Sequence, residues 1–142
     1  MTDRAPTSAP PTTVLFADPD HGPRSQMAES VFRAVVDAGA FDVASAGTAP
    51  DGDLAGVAEV LARRGVPFTP GRRALDMSMA PDLLVVVCED GCAACPYLPR
   101  AKRVIRWPFE DPTSTAGQSR LEVLDGIAEA LERRIAELTR TR

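Results

Sequence analysis

Leu83-Leu-Val-Val-Val-Cys88 is apolar throughout and carries three valines in succession, with turn-forming residues on either side. Such a run reads as a strand buried on both faces, and a strand of that kind belongs to a parallel sheet with covered faces. Thr13-Val-Leu-Phe-Ala17 reads as a second buried strand, with Phe41-Asp-Val-Ala-Ser45 and Val104-Ile-Arg-Trp107 as two more. Helical spacing lies between them. One helix opens at Arg24-Ser25, carries Met27, Val31, Val35 and Val36, and ends near Gly39. Another spans 54–64, with Gly65 as its C-terminal stop. Residues 66–81 read as mixed loop and short helix. From Leu121 to Leu138 an apolar stripe traces a long terminal helix, whose five acidic and five basic residues over 118–142 read as a solvated face. Strand alternating with helix predicts an α/β fold, a three-layer α/β/α arrangement around a four-stranded parallel sheet.

Composition removes whole classes of function. At 142 residues the chain suits one domain, taken as 13–142; residues 1–12 hold three prolines and a single Arg and read as a disordered lead-in, neither signal peptide nor anchor. Net charge is -4 with no basic block, which argues against nucleic acid. No apolar run reaches the roughly 18–20 residues of a membrane span, so the expected location is the cytoplasm. The three cysteines, Cys88, Cys92 and Cys95, crowd into one short stretch. An odd, clustered set is no secreted disulfide framework. It points to redox chemistry, metal binding or thiol-ligand capture, or to plain strand and loop residues. Ligands of parallel sheets bind beyond the carboxyl ends of the strands. The loop 18–23, the cysteines at 88–95 and the segment after Trp107 should converge there.

Four blocks then stand in a known order: Arg24-Ser-Gln-Met-Ala-Glu29, Ser45-Ala-Gly-Thr-Ala-Pro50, Pro81-Asp-Leu-Leu-Val-Val-Val-Cys88 and Trp107-Pro-Phe-Glu-Asp-Pro112. Together they resemble the low-molecular-weight protein tyrosine phosphatase superfamily, and within it the arsenate reductase branch, over about residues 13–138. The resemblance implies an anion-binding loop between the first strand and first helix, reading Cys, five residues, then Arg-Ser. It makes Asp20, His21, Gly22, Arg24 and Ser25 loop residues. It also aligns Asp111 with the general acid of the phosphatases, altered or vestigial here, or a plain Asp-Pro turn. Cys88 and Cys95 align with the two resolving cysteines of thioredoxin-coupled arsenate reductases, which implies a thiol-redox partner.

The position six before Arg24 is Asp18, where the resemblance calls for the nucleophilic cysteine. A thiolate is soft and ionised in such a loop, whereas a carboxylate is hard and a poorer nucleophile. Pro19 and Pro23 supply no N–H, and Asp18 and Asp20 add negative charge. One like-charge contact at 4 Å costs about 4 kcal/mol at an effective dielectric near 20. Asp18 is expected to fold in as an internal surrogate for the anion, with Arg24 as its partner; the bland reading is an exposed turn aspartate. His21 is either an exposed loop histidine or a group that tunes the loop's charge or binds metal with Asp18 and Asp20.

Rival chemistries attach to the same residues. Val14-Leu-Phe-Ala-Asp-Pro-Asp20 also resembles the first motif of haloacid-dehalogenase-type phosphatases, with Asp18 as nucleophile and Mg²⁺ to neutralise it. The chain's one lysine is Lys102, and that motif's remainder is missing. The spacing of Cys88, Cys92 and Cys95 matches the cluster motif of radical S-adenosylmethionine enzymes, which need a far larger domain. A zinc site of three thiolates with His21 or a carboxylate is a further option. The leading expectation is a diverged phosphatase or arsenate reductase relative without ordinary activity, acting as a binding or regulatory protein for a small oxyanion or other small molecule, or in an altered reaction at the same crevice. No cofactor or resident metal is assigned. The second is a thiol redox or metal- and arsenical-binding protein, and the third a Mg²⁺-dependent phosphatase.

Overall fold

A computed structural model describes residues 10–37, 39–89, 98–112 and 116–140. The elements run β1 (Thr12–Asp18), α1 (Pro23–Val35), β2 (Phe41–Gly47), α2 (Val57–Arg63), β3 (Leu83–Val86), β4 (Arg103–Arg106) and α3 (Gly117–Arg140). The strands form one sheet in the order β2-β1-β3-β4, every pair parallel. The α/β class with a four-stranded parallel sheet is as the strand runs predict. In the register, Asp18 stands beside Gly47 at the carboxyl end of β1.

Alternation sorts the sheet's side chains onto two faces. Val14, Phe16, Leu83, Val85 and Val87 join the larger core, with Met27, Val31 and Phe32 of α1, Val57, Val60 and Leu61 of α2, and Leu124, Leu131 and Ile135 of α3. Leu15, Ala17, Leu84, Val86 and Cys88 face the other way, onto Leu75, Met79, Leu98 and Ala101. Among the described residues, the helices cover the first face and irregular chain covers the second.

Two expectations change. The short helix expected within 66–81 does not form; the segment is irregular, with one bridge pairing Gly47 and Ala74. Pro67, Pro70 and Pro81 cannot donate helical hydrogen bonds there, and the N–H groups of Gly71, Arg73 and Leu75 bond outward to the body instead. The terminal helix is not solvated at every charge. Arg120 is 6% exposed and donates to the carbonyls of Asp53, Ala55 and Pro112, while the Arg134 guanidinium lies 5.9 Å from the centre of the Trp107 ring. None of the helices is long and apolar enough to cross a membrane, among the described residues.

Candidate functional site

Residues 18–23 turn the chain from β1 into α1 at the carboxyl edge of the sheet. Pro23 is well placed at the start of the helix, where its missing N–H breaks no bond. The loop backbone is gripped from outside. The carbonyls of Asp18, Pro19 and Asp20 accept from the N–H groups of Thr48, Ala49 and Gly52 at 3.3, 2.8 and 2.8 Å. Those of His21 and Gly22 accept from Gln26, through its side-chain amide at 2.6 Å and its backbone N–H at 3.1 Å. A trans peptide sets each N–H opposite the preceding C=O. Five carbonyls drawn outward therefore turn the N–H groups of Asp20, His21 and Gly22 to the opposite side, the arrangement of an anion cradle. Pro19 and Pro23 leave two gaps in it.

Such close wrapping needs glycine. A Cβ on Gly47 would collide with the His21 backbone nitrogen, and one on Gly52 would press on the Gly22 Cα.

Asp18 is fully buried, and its Oδ2 accepts the Ser25 N–H of the first turn of α1 at 3.0 Å. The exposed-turn alternative is thereby excluded. Burial, with Asp20 as second cause, raises the carboxyl pKa from 3.8 to about 6; Ser25 and Arg24 oppose the rise without cancelling it. The expected direct partner is different. Arg24 is also buried, but it donates to the Phe109 carbonyl at 3.3 Å and lies 4.0 Å from Asp20 Oδ1. Its guanidinium reaches across to the segment after β4, which leaves Asp18 to the helix amide. Four buried side-chain atoms here have no hydrogen-bond partner: Asp18 Oδ1, Asp20 Oδ1, Arg24 Nε and Ser25 Oγ.

His21 is buried as well, not an exposed loop residue, and has φ of 48°, a left-handed conformation uncommon outside glycine and one that histidine adopts more readily than most side chains. Its partners fix its role. The Arg73 backbone N–H donates to Nδ1 at 2.8 Å, so Nδ1 is unprotonated and Nε2–H donates to Ser45 Oγ at 2.9 Å. Ser45 in turn donates to Glu29 Oε1 at 2.6 Å, and Arg33 holds Glu29 Oε2 at 2.8 Å. Burial lowers the His21 pKa from 6.5 to about 4; Glu29 opposes that shift, and Arg73 and Arg72 add to it. The histidine is a neutral clamp between the loop, β2 and the 71–75 segment.

Gln26, Glu29 and Ser45 stand within the sequence blocks without an assigned role, and Arg72 and Arg73 stand in none of them. Their roles arise only when α1, β2 and an irregular segment meet. Cys88 is buried in the smaller core, while Cys92 and Cys95 lie outside the described residues. Asp111 is half-buried beyond β4. Among the described residues, no group of three or more His, Cys, Asp or Glu side chains is placed to hold a metal ion.

Comparison with known proteins gives a consistent picture. Residues 14–141 match the family described as low molecular weight phosphotyrosine protein phosphatase. Arsenate reductase 1 of Staphylococcus epidermidis is 29% identical over 123 residues, covering 84% of this chain and 92% of that protein. A crystal structure of arsenate reductase from Archaeoglobus fulgidus superposes with a TM-score of 0.66 at 31% identity, over 87% of this chain and 98% of that one. The low molecular weight protein tyrosine phosphatase of T. tengcongensis gives 0.73 at 25% identity, over 92% and 99%.

Proposed function

The chain belongs to the low molecular weight phosphotyrosine protein phosphatase family, and on that premise we propose that it is a member without the family's thiolate chemistry. It acts as a binding or regulatory protein for a small molecule at the loop crevice, without ordinary phosphatase or arsenate reductase turnover. One observation carries this reading: the Asp18 carboxylate is buried and takes the Ser25 N–H at the helix start. A bound oxyanion would compete for that donor. Asp18 supplies a negative charge from within, Asp20 adds a second, and neither is a soft nucleophile. Asp111 is then a vestige of the acid, with no leaving group to protonate.

The test has two arms. The wild-type protein should turn over neither an aryl phosphate, with or without Mg²⁺, nor arsenate with a thiol reductant. Asp18→Ala should gain phosphate affinity by at least about tenfold, about 1.4 kcal/mol, read by calorimetry. Aryl phosphate turnover that disappears in Asp18→Asn would overturn the reading in favour of a carboxylate nucleophile. An unchanged phosphate affinity in Asp18→Ala would remove the surrogate role. The thiol redox alternative rests on the spacing of Cys88, Cys92 and Cys95. Thiol titration before and after mild oxidant tests it.

A further inference from the structure

Beside the loop, on its outer flank, lies a cavity of about 570 Å³ between α1, β2 and the chain from Pro67 to Arg73. That volume is in the range of sites for small organic ligands, roughly 300–1,000 Å³. Its floor is the relay of His21, Ser45 and Glu29, and that floor is already satisfied. Glu29 takes the Ser45 hydroxyl on one oxygen and Arg33 on the other, and both ring nitrogens of His21 are engaged. The side chains of the floor are therefore engaged with one another.

The rim is different. Among the described residues, the Arg72 guanidinium makes one hydrogen bond, to the Gly52 carbonyl at 2.8 Å, and has donors left over. Arg73, among the described residues, enters the hydrogen-bonding and ion-pair network through its backbone alone, its guanidinium meeting no partner there. Both charges reach the floor electrostatically, since each disfavours protonation of His21. Glu29 cannot neutralise them, because Arg33 already holds it. The cavity thus presents two uncompensated cations and spare donors above a neutral floor.

We propose that this cavity binds a compact organic anion carrying two or more negative charges, held by Arg72 and Arg73. It is a second site, separate from the crevice of Asp18 and Arg24, and does not depend on the reading given to that loop. Planar guanidinium forks suit carboxylate and phosphate groups alike. The cavity's size selects against a bare inorganic ion. An occupant would also bear on the loop mechanically, because Arg73 N–H holds His21 and Gly71 is bonded both ways to Gln26.

Citrate is the probe, titrated into the intact protein and followed by amide NMR, which reports affinity and position together. Shifts centred on Gly71 to Leu75 and His21 are expected, with acetate and inorganic phosphate each binding more weakly than citrate. Arg73→Gln should weaken citrate by roughly tenfold and Arg72→Gln with Arg73→Gln by about a hundredfold, for ion pairs of about 1.4 kcal/mol each. Arg73→Gln leaves the segment's hydrogen bonds in place, since they come from the main chain, so an unchanged melting temperature separates lost binding from lost fold. Shifts centred on Asp18, Asp20 and Arg24 instead, citrate affinity indifferent to both arginines, phosphate binding tighter than citrate, or no citrate shifts at millimolar concentration would each overturn the proposal.

Discussion

Asp18 and His21 share one loop and titrate in opposite senses. For Asp18, the folded pKa of about 6 lies above the ordinary 3.8, so its contribution to stability is full below about 4 and is lost as pH rises through 6. Two pH units correspond to on the order of 3 kcal/mol. For His21, the folded value of about 4 lies below 6.5, so its contribution is full above about 6.5 and is lost as pH falls through 4, again on the order of 3 kcal/mol. The windows overlap, and the wild-type profile between pH 4 and 6 should be nearly flat. Asp18→Asn should unmask a stability that climbs with pH across that range. His21→Asn, which tolerates a left-handed backbone, should unmask one that falls. Urea melts at four or five pH values settle it, and parallel profiles for all three proteins would refute the assignment. Asp18 was legible through the family resemblance, which calls for a cysteine six residues before Arg24. Its true partner was not, because a backbone amide leaves no mark in a sequence.

At the scale of elements, the strands were readable because three valines in a row or a five-residue apolar run have few other uses. The 66–81 segment was less readable because its amides at 71, 73 and 75 are taken by partners far away in the chain. Charge misled along α3. Arg120 lies in a stretch of mixed charges, yet its guanidinium ties the helix to three carbonyls of neighbouring loops at 2.6 to 3.0 Å. Arg120→Met keeps much of the stem and loses all three bonds. Bonds from a charged donor contribute more than neutral ones, offset here by relief of a buried charge, so the net loss should be about 2–3 kcal/mol. Chemical denaturation reads it directly, and a loss no larger than that of an exposed arginine such as Arg140 would show that the tie carries little.

Across the molecule, parallel pairing in the order β2-β1-β3-β4 gathers the ends of β1, β2 and β4 at one rim. That placement followed from the alternation of strand and helix, and the loop, Gly47 and the Phe109 carbonyl do meet there. The clamp behind the loop did not follow, since it depends on residues from three separate parts of the chain. Gly71, Arg73 and Leu75 send their amide hydrogens into the body, to the Gln26 side chain, His21 Nδ1 and the Gly47 carbonyl, whereas the amides of Arg72 and Ala74 enter no such bond among the described residues. In deuterated solvent this irregular stretch should therefore exchange in alternation, slow at 71, 73 and 75 and fast at 72 and 74, a pattern usually reserved for the edge of a sheet. Uniformly fast exchange would mean the clamp opens freely. A slow and alternating pattern would mean that chain without regular secondary structure has the local persistence of a strand, and that the loop keeps its shape between visits from any ligand.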